Sequence, residues 1–270
     1  MKPVYWIARA AIVVAVASSA VADANVPAFP TLHSRFQKRI FVSPNGDTLL
    51  YRLWLPRHFD SAKRYPLILF LHGAGERGSD NEAQLKNDEF MNLVADSAHP
   101  AILVAPQCPR DQWWSPIEFD PAKPQILPEK PTRPMRLTLE LLQQIEQEFK
   151  IDPARRYVTG LSMGGYGTYD ILVRKPGYFA AAVVVCGGGD TTRVGDMSDV
   201  AFWIFHGESD PVVPVQRARA MVRALKRAGA RVRYTEYPGV GHNSWSRAYL
   251  EPELRPWLFR QSRPVASGRQ

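Results

Sequence analysis

The sequence predicts an α/β protein with a mostly parallel, eight-stranded sheet and helices on both of its faces. Three observations support this prediction. Short apolar runs recur along the chain without polar alternation, as in strands that are buried on both faces. Amphipathic helical patterns lie between these runs, and an antiparallel hairpin precedes them. The chain has 270 residues, which is enough for one such domain with a large buried core.

The N-terminus has the pattern of a secretory signal peptide. Lys2 and Arg9 precede the apolar stretch AAIVVAVASSAV, and small residues then offer cleavage after Ala22 or Ala24. The apolar run is short for a membrane span of about 20 residues, so a cleaved peptide is favoured over an anchor. We therefore expect a signal peptide at 1–22, export to the periplasm or the medium, and no stable membrane insertion after cleavage.

The strands follow one another in a regular order. The first two form a hairpin around Asn45-Gly46, a dipeptide that strongly favours a tight turn. The later strands are continuous apolar runs bounded by glycines and polar residues. The eight predicted strands are residues 35–42, 48–55, 66–71, 101–105, 156–159, 181–185, 201–205 and 232–237.

Two amphipathic helices are predicted between the later strands, at 137–149 and 215–228.

Residues 109–134 interrupt the alternation of strands and helices with seven prolines. We expect them to form an ordered insertion over one end of the sheet, near the functional site. The expected organisation is a flexible lead-in at 23–34, one domain at 35–260 and a disordered tail at 261–270.

A G-x-S-x-G motif marks a candidate nucleophile, Ser162. Its glycines are Gly160 and Gly164, and the motif follows a predicted strand and precedes a predicted amphipathic helix. A sharp strand-to-helix turn would present the hydroxyl, with the positive end of the helix directed at it. A plain glycine-rich turn is the alternative. A serine nucleophile needs a base, and the base needs an orienting carboxylate.

The candidate base is His242, because it alone among the six histidines lies beyond the last predicted strand, on a glycine-rich loop. In this arrangement the chain order is Ser, then acid, then His. Asp210, after the strand at 201–205, is the favoured acid, and Asp190 and Glu208 are its competitors. The acid is expected to hold the imidazole in one tautomer and to stabilise its charged form.

Two backbone N–H groups are needed to bind the oxyanion of a tetrahedral intermediate. Met163, the residue after the candidate nucleophile, is expected to provide one. The other is expected from the loop that begins at His72, where Ala74 is favoured and Gly75 is the alternative. The imidazole of His72 is expected to be structural and hydrogen-bonded beneath this loop.

Six segments together resemble the α/β-hydrolase superfamily. Within it, the chain resembles secreted carboxylesterases and "predicted peptidases" related to the phospholipase/carboxylesterase and dienelactone-hydrolase groups, with feruloyl esterases and polyester depolymerases as more distant relatives. The segments are LHGAGERG (71–78), APQCP (105–109), GLSMGGYGTYD (160–170), CGGGD (186–190), FHGESDPVVP (205–214) and GVGHNSW (239–245).

This resemblance covers residues 35–260 and implies particular roles for five residues. The implied triad is Ser162, Asp210 and His242, and the implied oxyanion donors are Ala74 and Met163. The resemblance implies no metal and no organic cofactor. The proline-rich insertion is longer than the usual connection in such proteins, so the shape of the substrate pocket is expected to differ.

Three tryptophans are candidate substrate-binding residues. Trp113 and Trp114 open the insertion, and Trp245 lies three residues beyond His242. Aromatic side chains near a nucleophilic serine often line an acyl pocket. Packing of loops against the sheet is an alternative of equal weight.

The two cysteines, Cys108 and Cys186, follow different predicted strands. With two further strands between them they would lie about 14 Å apart, since neighbouring strands are about 4.8 Å apart. A disulfide requires Cα atoms within about 7 Å. We therefore expect two free thiols. Two cysteines also exclude a disulfide-rich scaffold and a four-cysteine zinc site.

The formal net charge is +8, or +6 without residues 1–22. The basic residues cluster in the last helical region and the C-terminal tail, and no aromatic stacking platform or basic groove motif accompanies them. A nucleic-acid partner is therefore not expected. A solvated basic face, or weak attraction to an anionic envelope, is the simpler interpretation.

The expected function is that of an exported serine hydrolase that cleaves carboxylic esters through an acyl-enzyme, on a small-molecule or polymer-linked substrate. A serine peptidase with the same triad and a carbohydrate-acyl (feruloyl or acetyl) esterase are the enzymatic alternatives. The alternative from a different class is a noncatalytic module that binds polysaccharide or envelope polymers. A complete triad argues against that module.

Overall fold

The structure, a computed structural model, describes residues 30–95, 97–118 and 123–264. The predicted signal peptide and residues 265–270 of the predicted tail lie outside the described residues. Eight strands form one sheet in the order β1-β2-β4-β3-β5-β6-β7-β8. They are β1 (Gln37–Val42), β2 (Thr48–Trp54), β3 (Tyr65–Leu71), β4 (Ile102–Pro106), β5 (Ile151–Leu161), β6 (Ala181–Val185), β7 (Ala201–Gly207) and β8 (Arg231–Tyr237).

The sheet is mostly parallel, as predicted. β1 and β2 form the antiparallel hairpin, β2 pairs antiparallel with β4, and all the later neighbours pair in parallel. In the hairpin turn, Ser43 N donates to Asp47 O at 2.8 Å, and Gly46 has a φ of +81° that favours glycine. Because the six strands from β3 to β8 are parallel, their carboxyl ends share one edge of the sheet.

Helices cover both faces of the sheet. On one face α2, α3 and α4 contribute side chains such as Leu141 and Met221 to one hydrophobic cluster. On the other face α5, α6 and the 3₁₀ segments around residues 83–93 contribute Phe90 and Leu258 to a second cluster. The helices are α1 (Pro30–His33), α2 (Arg133–Glu148), α3 (Met163–Arg174), α4 (Val215–Arg227), α5 (Trp245–Ala248) and α6 (Leu254–Phe259).

Two elements differ from the sequence prediction. Strand β5 begins at Ile151 rather than at residue 156, because its polar first half still pairs with β3 through Ile151 and Tyr65. Helix α2 begins inside the predicted insertion, since Thr132 Oγ1 accepts a hydrogen bond from Met135 N and caps the helix. Pro134 is tolerated there because the first turn of a helix has no internal acceptor for its N–H groups.

Helix α3 is also different from the prediction. It was expected to be amphipathic, but every residue from Met163 to Val173 is buried. The reason is its position: it packs against β3 and β5 on one side and contributes to the α-helical layer on the other. Because α3 is buried on all sides, it is a rigid support for the turn at Ser162 that precedes it.

The ends of the predicted domain also differ in part from expectation. Leu32, in the predicted flexible lead-in, is a buried residue of the short helix α1. Arg263, in the predicted disordered tail, donates its backbone N–H to Ala154 O at 3.0 Å and pairs with Asp199. These apolar and ionic contacts attach both segments to the sheet.

The described part of the insertion is attached to the carboxyl edge of the sheet by buried polar groups. Arg174 pairs with the fully buried Asp170 and donates to backbone carbonyls of the insertion, including Pro128 O at 2.9 Å. Leu127 N donates to the carboxylate of Asp190 at 2.9 Å. These bonds hold residues 127–130 against α3 and the loop after β6. None of the helices in the described parts of the chain is long and apolar enough to cross a membrane.

Candidate active site

Ser162 occupies a strained turn between β5 and α3. Its backbone has φ +52° and ψ −117°, which a non-glycine residue rarely adopts, so the turn holds the residue in place against its own preference. The flanking glycines are required by space: a Cβ at Gly160 would lie 2.2 Å from Gly164 O, and one at Gly164 would lie 1.9 Å from Leu71 O. Backbone packing at this corner therefore excludes any side chain.

The imidazole of His242 joins the other two predicted residues. Its Nε2 lies 2.9 Å from Ser162 Oγ, and its Nδ1 lies 2.8 Å from Asp210 Oδ2. The Asp210 side chain is fully buried, whereas the His242 side chain is 19% exposed. The three residues come from the ends of β5, β7 and β8, and only the parallel sheet brings them together.

The carboxylate of Asp210 is held by four donors. Besides His242, it receives the backbone N–H groups of Val212 at 2.8 Å and Val213 at 2.9 Å, and His206 Nε2 lies 3.3 Å from its Oδ2. Burial by itself would raise the pKa of Asp210, but the hydrogen bonds from His206, His242 and the two backbone groups outweigh it and hold the pKa well below its usual range. The group is therefore an anion at neutral pH.

The loop that carries His242 is packed directly against the loop that carries Asp210. Ser209 N donates to Val240 O at 2.9 Å, and a Cβ at Gly207 would lie 2.2 Å from Gly241 O. The two backbones can approach this closely only because position 207 has no side chain. This contact fixes the distance between the acid and the imidazole.

The predicted oxyanion donors, Met163 and Ala74, each begin a helical segment after the end of a strand. Met163 is the first residue of α3, so the helix offers its N–H no acceptor and the group is available to a ligand. Ala74 lies in a short 3₁₀ helix (Ala74–Glu76) directly after the end of β3. Arg77 holds this segment, since its Nε donates to Ala74 O at 2.9 Å.

His72 supports the same loop from below. Its Nε2 accepts the backbone N–H of Cys108 at 2.9 Å, so Nδ1 carries the proton and donates to Gly73 O at 2.7 Å. Burial lowers the pKa of His72 to about 4, which keeps the imidazole neutral. These contacts agree with the structural role that the sequence indicated.

The three candidate tryptophans lie in different environments. Trp114 is fully buried and donates its indole N–H to His72 O at 3.0 Å, so it packs beneath the site and is no longer a candidate for substrate contact. Trp113 is 38% exposed, with the guanidinium of Arg77 4.5 Å from its ring centre. The half-buried Trp245 meets the ring of His242 edge to face, with the ring centres 5.5 Å apart.

The competing acids lie elsewhere. Asp190 accepts hydrogen bonds from Leu127 N and from the backbone and hydroxyl of Thr192, so it fixes the insertion. Glu208 accepts the backbone N–H of Gly239 at 3.0 Å. Neither carboxylate is hydrogen-bonded to the imidazole of His242.

Sequence reasoning missed two neighbours of the triad. One is His206, whose Nε2 donates to Val213 O at 2.8 Å and lies 3.3 Å from Asp210 Oδ2. Cys186 was considered only for a disulfide, but its sulfur lies within 4.8 Å of a carboxylate oxygen of Asp210 and a ring nitrogen of His242. The His-x₃-Asp spacing after a buried strand is a signal that could have indicated the first contact.

Both cysteines are buried free thiols, and two strands, β3 and β5, separate the strands that they follow. Burial and the nearby Asp210 carboxylate raise the pKa of the Cys186 thiol, so it stays protonated and is a poor nucleophile. Its φ of +42° is a second strained position at this edge of the sheet.

Several known proteins are similar to this chain in sequence. The model of the Esterase family, described as "Putative esterase", matches residues 46–228. A "Probable feruloyl esterase C" of Aspergillus terreus is 29% identical over 167 residues, which are 61% of this chain and 56% of that protein. The corresponding protein of Aspergillus oryzae is 26% identical over 210 residues, 77% of this chain and 73% of that one.

Solved structures agree with the sequence comparison. A thermostable esterase superposes with a TM-score of 0.80 and 39% identity, over 86% of this chain and 64% of that chain. A ferulic acid esterase superposes with a TM-score of 0.62 and 19% identity, over 83% of this chain and 97% of that chain, and shows the shared fold.

The family model matches more than half of the chain, and the eight-stranded, mostly parallel sheet with helices on both faces is that of the solved esterases. The chain spans less than two thirds of the Aspergillus terreus relative and of the thermostable esterase chain. The protein has the α/β-hydrolase fold and belongs to this esterase family.

Proposed function

We propose that this protein is a serine hydrolase that cleaves carboxylic esters, with Ser162 as the nucleophile, His242 as the base and Asp210 as the orienting acid. One observation carries the proposal: a single imidazole contacts the serine hydroxyl at 2.9 Å and the buried carboxylate at 2.8 Å, through its two different nitrogens. This arrangement suits nucleophilic catalysis because it leaves Nε2 free to accept the hydroxyl proton.

The reaction would proceed through an acyl-enzyme. Ser162 Oγ attacks the ester carbonyl carbon while Nε2 of His242 takes the hydroxyl proton. The resulting oxyanion is bound by the N–H groups of Met163 and Ala74, and collapse of the intermediate expels the alcohol, which receives the proton from His242. Water then attacks the acyl-enzyme by the same route and releases the acid.

The electrostatics of the site support this assignment. Asp210 is ionised and buried, so it stabilises the positive imidazolium that forms in both steps. The N-terminus of α3 directs its positive end at the oxyanion. Both effects are stronger in the charged transition state than in the neutral ground state, which is the condition for a higher rate.

The direct test is the variant Ser162→Ala. We expect loss of hydrolysis of p-nitrophenyl butyrate by more than about a thousandfold, because triad serines contribute at least that much. Covalent labelling by a fluorophosphonate should also disappear, while the melting temperature is retained. The matched control is Ser198→Ala. Ser198 directly follows the 3₁₀ helix Val194–Met197, and its hydroxyl donates to Gly195 O. Normal esterase activity in Ser162→Ala would reject the mechanism.

The substrate class that we favour is an aromatic acyl ester of a carbohydrate. It is supported by the feruloyl esterases among the relatives and by Trp113 and Trp245, which are exposed or half-buried near the site. The test compares methyl ferulate, p-nitrophenyl acetate and a peptide anilide with the same preparation. The highest kcat/KM on the peptide anilide would instead indicate a peptidase.

We also infer that the enzyme is exported. The inference is supported only by the basic, apolar and small-residue pattern of residues 1–22. Expression of the full chain in a bacterium, followed by mass measurement of the product in each fraction, tests it. The expected product begins at Asp23 or Asn25 and is found outside the cytoplasm, whereas a full-length cytoplasmic product would contradict it.

A further inference from the structure

The strained turn at Cys186 places a buried thiol beside Asp210 and His242. The sulfur of Cys186, a carboxylate oxygen of Asp210 and a ring nitrogen of His242 all lie within 4.8 Å of one another. The first two side chains are fully buried, and the third is 19% exposed. A thiol, a carboxylate and an imidazole are the three side-chain types that bind zinc in proteins.

A fourth polar group is directed at the same place. Ser244 is fully buried, and among the described residues its hydroxyl makes no well-aligned hydrogen bond. This hydroxyl and the backbone N–H of Ser162 both lie close enough to Cys186 to stabilise negative charge on the sulfur. A buried hydroxyl without a well-aligned hydrogen bond is rare in folded proteins, because it loses its bonds to water and gains little in return.

We propose that a soft divalent cation of the zinc class binds between Cys186, Asp210 and His242, and that its binding switches the enzyme off. The binding does not depend on the proposed ester reaction, but the loss of activity does. The cation is a reversible inhibitor at this site and takes no part in the reaction, so the proposal is compatible with catalysis without a metal.

The geometry requires only small adjustments. Zinc bonds of about 2.0–2.3 Å in a tetrahedron place neighbouring ligand atoms about 3.3–3.7 Å apart. The sulfur, which lies within 4.8 Å of the other two ligand atoms, would move inward by at most about 1.3 Å, and the 2.8 Å contact between His242 Nδ1 and Asp210 Oδ2 would widen by about 0.5 Å. We assign Nδ1 to the cation, since it lies beside Asp210 while Nε2 contacts Ser162.

The charges and protons balance. Asp210 is already an anion, and Cys186 would release its proton to solvent, so two negative ligands neutralise the divalent cation in a buried site. The imidazole of His242 stays neutral, with its proton transferred from Nδ1 to Nε2. A protonated Nε2 can donate to Ser162 Oγ but cannot accept its proton, and the nucleophile is therefore no longer activated.

The groups around the ligands suit such a site. Asp210 is oriented by the N–H groups of Val212 and Val213 and by His206, so one oxygen can turn to a cation without loss of all its other bonds. Hydrogen bonds of this kind around metal ligands fix their orientation and increase affinity. The Trp245 ring meets the ring of His242 edge to face.

The test measures binding and activity separately. Cobalt(II) is used as a spectroscopic probe in place of zinc, because thiolate ligation gives a near-ultraviolet charge-transfer band. We expect one cobalt per chain with this band in the unaltered protein and in Ser162→Ala, which keeps all three ligands but is inactive. The same result in both proteins separates the metal site from the proposed function.

The control is the other buried cysteine. Cys108 is buried, donates its backbone N–H to His72, and does not belong to the group formed by Cys186, Asp210 and His242. Zinc should reduce ester hydrolysis more than tenfold in the unaltered enzyme and in Cys108→Ser, and a chelator should restore it. In Cys186→Ser, the charge-transfer band should be absent and the zinc concentration for half inhibition should rise at least tenfold.

Two results would overturn the proposal. One is equal inhibition by zinc of Cys186→Ser and Cys108→Ser, which would place the inhibitory ion elsewhere, for example at the surface pair of His33 and Asp88. The other is cobalt binding to the unaltered protein without the thiolate band. If Cys186→Ser does not fold, Cys186→Ala with its melting temperature measured beside its cobalt spectrum decides the same question.

Discussion

The guanidinium of Arg77 lies 4.5 Å from the ring centre of Trp113, and its Nε donates to Ala74 O at 2.9 Å. One side chain thus connects the first tryptophan of the insertion with the loop that carries a proposed oxyanion donor. A second guanidinium nitrogen reaches Gln112 O at 3.4 Å. Arginine can make all three contacts because its guanidinium is planar and carries several N–H donors. The single ammonium group of lysine could not make them together.

Replacement of Arg77 by lysine should therefore lower kcat. We expect a loss of about tenfold with little change in KM, because a misplaced Ala74 N–H weakens binding of the transition state more than binding of the substrate. Steady-state kinetics with p-nitrophenyl butyrate measures the two parameters. Arg57→Lys, at an exposed position, is the control. An unchanged kcat in Arg77→Lys would show that the loop keeps its geometry without this contact.

Replacement of Asp210 by asparagine should lower kcat by about 10⁴, since an amide cannot hold Nδ1–H and stabilise the imidazolium as a carboxylate does. Asp190→Asn is the matched control: it changes the competing acid, which bonds the insertion and not the imidazole. We expect its kcat to stay within tenfold of the unaltered enzyme. A larger loss in Asp190→Asn than in Asp210→Asn would reverse the assignment of the acid.

The two neighbouring tryptophans should respond differently to truncation. Trp114→Ala removes a fully buried indole and should reduce the free energy of unfolding by about 3–5 kcal/mol. Trp113→Ala should change stability by less than about 1 kcal/mol, but should raise KM for methyl ferulate several-fold more than KM for an acetyl ester. Urea unfolding and the two KM values test this. A similar KM change for both esters would exclude Trp113 from aromatic recognition.

The buried His72 should make the protein less stable in mild acid. Its pKa is about 4 in the folded protein and about 6.5 in the unfolded chain, so between these values the unfolded state binds more protons. Stability is then complete above about pH 6.5 and falls as the pH falls toward 4. We expect a loss of about 2 kcal/mol between pH 7 and pH 5 from this group.

Urea unfolding at the two pH values measures this loss. His72→Gln retains an acceptor and a donor beneath the loop but cannot take up a proton, so its stability should change less over the same interval. Equal losses in the two proteins would assign the acid sensitivity to other groups.

The order of the elements could be predicted from the sequence because apolar runs and amphipathic patterns are local signals. The same holds for the strained position of Ser162, which the surrounding glycines indicate. The predicted boundaries were wrong where a partner strand decided them: the polar start of β5 is a strand only because β3 lies beside it. The cap at Thr132 likewise moved the start of α2 into the proline-rich insertion.

The sequence by itself determined the α/β architecture, the motif around Ser162 and the order in which an acid and a histidine follow it. The tertiary structure alone decided which carboxylate contacts His242, that Trp114 is a core residue, and that His206 and Cys186 are neighbours of the triad. The physical reason is that parallel strands bring residues distant in the chain to one edge of the sheet. Contacts made across that edge depend on strand order and loop packing, which leave no periodic signal in the sequence.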